Sequence, residues 1–171
     1  MSIFGTPIPV PYMSDISCTV AEARNKLEHY CAYQERCHGE VIEKLKSLNM
    51  IPQAIDLIVV HLIDNNYLNE ERFACSFARG KHHIKHWGKV RIVNELKFRK
   101  ISQYNINTAL KEITPEEYAA TFHALAEKQW ETIKERSLPK KKKKFCDFLL
   151  RKGFESNLVY DKVNKLVAAP L

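Results

Sequence analysis

The chain has 171 residues, 45% of them apolar, which is enough to bury a hydrophobic core, and its net charge is +7. No run of 18 apolar residues occurs, which excludes a membrane-spanning segment, and the five cysteines lack a paired spacing, which favours free thiols in a cytoplasmic protein. The positive charge favours a polyanionic partner, of which nucleic acid is the most common.

The first 18 residues predict a disordered leader. Residues 1–17 are rich in proline and contain no lysine or arginine. They therefore lack the charged start and the continuous apolar core of a signal peptide.

The rest of the chain carries one apolar pattern three times. Leu45, Leu96 and Leu149 each lie in a basic stretch with helical spacing, and they are separated by 51 and 53 residues. Around each leucine, apolar residues recur four positions before it and five, ten, fourteen and seventeen positions after it. A fixed period with matching apolar positions is typical of a repeat architecture.

Each repeat predicts three helices. The repeats span residues 19–68, 69–113 and 114–171. The first helices begin at Thr19, Asn69 and Thr114, and both threonines precede a glutamate by three residues, as in a capping box. Buried positions of these first helices are predicted at Leu27, Phe77 and Phe122. The second helices contain the three leucines, and a short turn precedes each third helix, so the predicted fold is all-α, with three tandem helix-turn-helix-like units.

The charge is distributed unevenly over the repeats. The first carries −2, the second +6 and the third +4. The second and third repeats therefore predict a surface that attracts nucleic acid. The alternative is a solvated basic surface that serves solubility alone.

The candidate binding residues lie in these two basic repeats. Lys89 and Arg91 fall in the first turn of a helix, where cations oppose the helix dipole, so binding explains them better than stability does. Trp87 is a candidate anchor for a partner, with packing between helices as the alternative. Residues 140–144 are all lysine and either bind or form a solvated loop. The predicted set for contacts with nucleic acid or a protein partner is Lys81, Lys85, Trp87, Lys89, Arg91, Arg99, Lys100, Lys140, Lys141, Lys142, Lys143, Lys144, Arg151 and Lys152.

Catalytic and metal sites are not predicted. His82 and His86 are one helical turn apart and His83 lies between them, but the zincin glutamate is absent and the sequence places no third ligand. Protonation of these imidazoles would instead add to the basic face. The chain has no phosphate-binding loop, no dinucleotide-binding turn and no nucleophile in a recognisable setting, so we expect no enzyme and no cofactor.

Three ordered stretches of the second and third repeats resemble the RecX family, the modulators of the bacterial recombinase RecA. The first runs from Tyr67 to Ala74, the second from Trp87 to Ile106, and the third from Phe148 to Phe154. Family-like residues stand at Leu68, Glu71, Arg72, Phe73, Ala74, Gly88, Ile92, Glu95, Leu96, Ile101, Leu149, Arg151, Gly153 and Phe154. The chain departs from the family pattern at Asn69, Glu70 and Lys100, and at Cys37, His38 and Val41 of the first repeat.

The resemblance implies a regulator that is not an enzyme. RecX-like proteins form an elongated, curved array of three-helix repeats, bind the RecA nucleoprotein filament and inhibit its growth, its ATPase activity and recombination. For this chain it implies a cytoplasmic monomer whose partners are the RecA filament and, through the basic face, single- and double-stranded DNA.

Two other functions stay open. The chain could bind DNA directly through its helix-turn-helix units without RecA, for which the third helix of the second repeat offers Tyr104, Asn105, Asn107 and Thr108 as base-reading residues. It could also be an α-helical scaffold for another protein, which predicts no dependence on nucleic acid.

Overall fold

Helices form all of the regular secondary structure in residues 18–168, the part of the chain that the structure, a computed structural model, describes. In chain order they are α1 (Val20–Tyr33), α2 (His38–Ser47), α3 (Pro52–Asp64), α4 (Glu70–Lys85), α5 (Lys89–Phe98), α6 (Gln103–Lys111), α7 (Pro115–Thr132), α8 (Leu138–Lys152) and α9 (Ser156–Ala168). The predicted all-α fold of tandem three-helix units is confirmed, and each proposed repeat contains three of these helices. The leader predicted for residues 1–18 lies outside the described residues except for Cys18.

The first helix of each repeat begins at a side-chain cap. The hydroxyl of Thr19 accepts from the Glu22 amide at 3.2 Å, and the Glu22 carboxylate accepts from the Thr19 amide at 2.9 Å, which completes a capping box. Asn69 caps α4, and Thr114 caps α7 by accepting from the Glu117 amide at 3.2 Å. The reciprocal bond predicted at Thr114 is not formed, because the Glu117 carboxylate instead lies 3.0 Å from the His83 ring.

The turn after each second helix uses a left-handed residue at the same place in every repeat. The residues are Asn49, Lys100 and Gly153, with φ values of 58°, 60° and 91°. Glycine adopts this conformation without cost and asparagine tolerates it, whereas a lysine is strained there. The departure from the family pattern at Lys100 therefore costs stability without changing the turn.

Leu45, Leu96 and Leu149 are fully buried, as the repeat pattern predicted. The first repeat has an apolar core of its own, built around Leu27, Leu45 and Leu62. The buried residues of the second and third repeats instead form one continuous cluster, to which Cys37 from the start of α2 also contributes. The three repeats are therefore similar in sequence pattern but unequal in packing.

Candidate functional site

The second and third repeats meet where the start of α5 contacts the end of α8, and several of the predicted basic residues lie there. Helix α5 has no side-chain cap at its start. Instead, the Gly88 amide donates to the Lys152 carbonyl at 2.8 Å, and the Val90 amide donates to the Gly153 carbonyl at 3.0 Å. The unpaired N–H groups at the start of α5 are thus satisfied by the carbonyl end of α8.

Two glycines make this approach possible. A Cβ atom on Gly88 would overlap the Gly153 carbonyl, and one on Gly153 would overlap the side chain of Arg91. Any larger residue at either position would force the two repeats apart. These two glycines, which both belong to the family-like residues, therefore allow the second and third repeats to come together. We name Gly88, Gly153 and the two backbone hydrogen bonds between α5 and α8 the glycine joint.

Tyr118 completes the glycine joint from α7. Its hydroxyl donates to the Glu155 carboxylate at 2.6 Å and accepts from the Lys89 amide at 3.2 Å. Burial raises the pKa of the Tyr118 phenol, and the hydrogen bond to Glu155 raises this pKa further. No local sequence signal identified Tyr118, since its partners are 29 and 37 residues away.

The location of α8 changes the interpretation of the cations at the start of α5. The Arg91 guanidinium donates to the Arg151 carbonyl at 3.1 Å, and the Lys89 ammonium lies 4.7 Å from the centre of the Tyr118 ring. The negative end of the α8 dipole therefore faces these cations and offsets their unfavourable position on α5. The prediction from α5 alone that stability does not explain Lys89 and Arg91 was therefore wrong.

A row of alternating cations and aromatic rings runs across α4 and α5. We name Arg99, Phe77, Lys81, Trp87 and Arg91 the cation–aromatic row. Arg99 and Lys81 lie 5.0 and 5.2 Å from the centre of the Phe77 ring, and Lys81 and Arg91 lie 5.2 and 4.0 Å from that of Trp87. All five side chains are half-buried, including Phe77, which the sequence had placed on the buried face. The row therefore combines positive charge with half-buried aromatic rings.

Other predicted residues lie at the edges of the row. Lys85 and Lys152 meet where the Lys152 ammonium donates to the Lys85 carbonyl at 2.9 Å. Lys85 also lines a groove with Glu35 and Glu40 of the first repeat, so the groove there has mixed charge. Lys100 is exposed in the turn after α5, and Arg151 is exposed near the end of α8.

The five lysines at residues 140–144 form a separate group. They lie near the start of α8, whose 15 residues span about 22 Å, whereas Arg151 and Lys152 lie at its end. Five consecutive residues go more than once around a helix, so they cannot all face one partner. Lys141 lies 4.3 Å from the centre of the Trp130 ring, and Lys144 donates to Glu135 at 2.8 Å, a bond that lowers the pKa of the Glu135 carboxyl. The lysines are helical, so the loop interpretation was wrong.

His82 is part of the core, and the five cysteines are free. His82 is fully buried, stacks on Tyr118 and lies 2.9 Å from the Trp87 carbonyl through Nδ1, so it does not add to the basic face as the sequence had suggested. In residues 18–168, no three His, Cys, Asp or Glu side chains converge as a metal site needs. All five cysteines are free, and burial raises the pKa of the thiols of four of them, namely Cys31, Cys37, Cys75 and Cys146. None of the described helices is long and apolar enough to cross a membrane.

Arg72 joins the first two repeats, a role that the sequence motif did not reveal. Its guanidinium donates to the Glu35 carboxylate and, at 3.0 Å, to both the carbonyl and the side-chain oxygen of Asn66. Beside it, His38 lies 2.7 Å from Glu70. Like Gly88 and Gly153, Arg72 belongs to the family-like residues and serves the assembly of the repeats.

Comparison with known proteins also identifies the RecX family, through matches to two of its three-helix domains. The model of the second three-helix domain of RecX matches residues 69–110, and that of the third matches residues 116–163. The regulatory protein RecX of Limosilactobacillus reuteri is 26% identical over 143 residues, which cover 84% of this chain and 54% of that protein. The regulatory protein RecX of Bacillus cytotoxicus is 26% identical over 130 residues, covering 76% and 48%. The chain thus spans about half the length of these curated relatives.

Solved structures agree with this match. The crystal structure of a regulatory protein RecX superposes with a TM-score of 0.75 at 25% identity and covers 85% of this chain and 73% of the other. The crystal structure of RecX from Lactobacillus salivarius gives a TM-score of 0.72 at 27% identity, covering 85% and 94%. The similarity therefore extends over nearly all of the described helices.

Proposed function

The chain belongs to the RecX family, and from this premise we propose that it binds the RecA nucleoprotein filament and inhibits its growth, its ATPase activity and recombination. The observation that carries the proposal is the match of two consecutive RecX domains over residues 69–110 and 116–163. The similar proteins are named regulatory proteins, which supports a regulator that is not an enzyme.

The cation–aromatic row suits this function physically. A filament presents DNA phosphates together with protein surface, and lysines and arginines that neutralise phosphates release counterions, which favours binding. Half-buried rings such as those of Trp87 and Phe77 add a sequence-independent surface for bases. The remaining basic residues of the predicted set would extend the contact along the second and third repeats.

Co-sedimentation with RecA filaments on single-stranded DNA, compared with bare single-stranded DNA, tests the proposal. We expect preferential recovery with the filament and a fall in RecA ATPase activity at substoichiometric amounts of the protein. Equal binding to bare DNA with unchanged ATPase activity would favour a DNA-binding protein that acts without RecA. Binding to neither would overturn the proposal and favour a scaffold for another protein.

Salt dependence separates lysines that bind phosphates from those that do not. Lys85 and Lys100 are exposed and their ammonium groups are not needed by the glycine joint, whereas Arg91 and Arg99 donate to groups of the chain itself. The double variant Lys85→Gln/Lys100→Gln should lower the slope of log affinity against log salt by about 0.7–0.9 for each phosphate that is no longer neutralised. The matched control Lys44→Gln/Lys46→Gln, on the acidic first repeat, should leave the slope unchanged. Equal slopes for both double variants would show that the two lysines are solvated surface.

A further inference from the structure

Helices α5 and α8 leave an open groove on the outer side of the glycine joint. We name it the α5–α8 groove. It is lined by Val90, Arg91, Asn94, Glu95, Phe98, Leu150, Arg151 and Gly153. Three of its apolar side chains are exposed to solvent: Phe98 by 83%, Val90 by 45% and Leu150 by 36%. A phenylalanine exposed to this degree beside two aliphatic side chains is the kind of apolar patch that marks an interaction surface.

Two of the exposed apolar residues, Val90 and Phe98, lie in line along the groove. Val90, Asn94 and Phe98 follow each other at intervals of four residues, so they lie on one face of α5. Leu150 closes the groove from α8. An extended or helical segment of a partner could therefore place an apolar side chain between Phe98 and Leu150.

The charges beside this line fit an acidic partner. The Arg91 guanidinium donates to the Arg151 carbonyl, and the Arg151 guanidinium donates to the Asp147 carbonyl at 3.2 Å. Within residues 18–168, neither guanidinium forms an ion pair with a carboxylate, although six other lysine and arginine side chains do so. Arginine forms strong charge-assisted hydrogen bonds with carboxylates as well as phosphates, so both side chains keep capacity for an acidic group.

The groove is less suited to DNA. The carboxylate of Asp147 lies beside Leu150 and Arg151 at its end. DNA carries a phosphate at every nucleotide and would place one against this carboxylate, whereas a peptide can set its carboxylates at Arg91 and Arg151 and a neutral residue at Asp147. Phe98 is the one ring among the lining residues, and Val90 and Leu150 beside it are aliphatic, so the groove has no succession of rings on which consecutive bases could stack. The cation–aromatic row, which shares Arg91 with the groove, has two neighbouring rings between its cations and is therefore the better surface for bases and phosphates.

We propose that the α5–α8 groove docks a protein segment that carries an apolar side chain flanked by carboxylates, and that in a filament this segment belongs to the protein rather than to the DNA. The inference rests on the proposed function, because it divides the same interface into two parts. The groove contacts RecA protein, and the cation–aromatic row contacts nucleic acid.

Two variants of the full chain test the groove by different chemistry. Phe98→Ala removes the most exposed apolar side chain, and Arg151→Glu reverses the charge next to it. The matched controls are Tyr33→Ala, which removes the ring of a residue that is 87% exposed at the end of α1, and Lys97→Glu, which makes the same change of charge on α5 outside the groove. Circular dichroism checks that each variant keeps its helices.

Affinities for RecA filaments and for bare single-stranded DNA are measured with each variant. We expect Phe98→Ala and Arg151→Glu each to weaken filament binding at least about tenfold, as loss of an interface anchor does. Tyr33→Ala should change filament binding by less than about twofold, and Lys97→Glu should cost clearly less than Arg151→Glu. Phe98→Ala should bind bare DNA as the unaltered chain does.

The outcomes separate this inference from the proposed function. Filament binding that survives both groove variants would overturn the inference and leave the proposed function intact. An equal loss of affinity for bare DNA in Phe98→Ala would overturn it in favour of a nucleic-acid groove. Concentration-dependent self-association of the unaltered chain that Phe98→Ala abolishes would overturn it by showing that a second copy occupies the groove. A chain that does not bind filaments at all would overturn the proposed function and the inference together.

Discussion

The joint between the first and second repeats is made by side chains, whereas the joint between the second and third is centred on hydrogen bonds between backbone groups, to which the side chains of Tyr118, Arg91 and Lys152 add. Arg72 joins the first pair by donating to Glu35 and Asn66, with His38 and Glu70 beside it. The glycine joint connects the second pair through amide and carbonyl groups, which substitutions other than proline leave in place. The first kind of joint can be altered one side chain at a time, and the second depends on the absence of a side chain.

The hydrophobic cores also set the first repeat apart from the other two. The first repeat buries its own cluster, whereas the second and third repeats share one. We infer that the second and third repeats unfold together and that the first can open separately, since cooperative units follow continuous cores. The three repeats, although similar in sequence, thus form two cooperative units: the first repeat alone, and the second and third repeats together.

Truncation of the repeated leucines tests this division with the largest expected effect. Leu45→Ala and Leu96→Ala should each cost about 2–5 kcal/mol of unfolding free energy, as for core leucines in general. Leu45→Ala should raise amide hydrogen exchange in α1 to α3 only, because its cluster is confined to the first repeat. Leu96→Ala should raise exchange from α4 to α9. Exchange that rises over the whole chain in both variants would contradict two separate units.

Gly88→Ala should break the glycine joint. The added methyl group would overlap the Gly153 carbonyl, and such overpacking costs about 1–3 kcal/mol. The control is Gly80→Ala in α4, where a methyl group meets nothing within 4 Å, and alanine should stabilise the helix by about 1 kcal/mol. Chemical denaturation measures the free energy of unfolding of both variants. A change of the same sign in both would refute the close approach of Gly88 to the Gly153 carbonyl.

Arg72→Ala should weaken the joint between the first and second repeats by about 1–2 kcal/mol, because it removes charge-assisted hydrogen bonds. Arg79→Ala on the same helix is the control. It removes the exposed pair with Glu112 and should cost about 0–1 kcal/mol. Hydrogen exchange of α1 to α3 should rise only in the Arg72 variant, and an equal rise in both would argue against a special role for Arg72.

Tyr118→Phe should cost about 1 kcal/mol at neutral pH, because the hydroxyl bridges Glu155 and the Lys89 amide. Burial raises the pKa of Tyr118 in the folded chain, so only the unfolded chain releases the phenolic proton easily. The stabilisation is therefore complete below the unfolded pKa of about 10 and is lost as pH rises above it. The stability difference between the unaltered chain and the variant should shrink in that window, and a constant difference up to about pH 11 would contradict it.

Lys100→Gly should have the smallest effect and the opposite sign. Glycine removes the strain of the left-handed conformation at position 100, but it also raises the entropy of the unfolded chain. The net gain in unfolding free energy should be about 0.5–1 kcal/mol. Asn49→Gly at the equivalent turn should gain less, since asparagine tolerates this conformation. Thermal denaturation ranks the two, and a larger gain at Asn49 would show that the turns are not equivalent.

Local patterns predicted the helices well because their causes are local. The cap at Thr19 depends on a residue three positions away, and the burial of Leu45, Leu96 and Leu149 follows from helical periodicity. The joints could not be predicted in this way. Tyr118 acts on Lys89, and the Gly88 amide finds its acceptor in Lys152, far along the chain. The sequence identified Gly88 and Arg72 as notable but not what they contact.

The candidate site shows the same limit. Basic composition located the surface in the second and third repeats, but it could not separate cations with internal partners, such as Arg91 and Lys144, from the free ones. It also missed the exposed Phe98, because a single apolar residue at the end of a helix has no periodic signal. Interaction surfaces require knowledge of which side chains the fold leaves uncovered.

The glycine joint has a consequence for how the protein is made. A ribosome releases the chain from its N-terminus, so the first repeat, with its own core, can fold as soon as it emerges. Helix α5 must wait for Lys152 and Gly153, about 65 residues later, before its first amides are paired. At about 5–20 residues per second this delay lasts about 3–13 seconds. During that time the second repeat exposes its half of the shared core, whereas the first repeat can already bury its own.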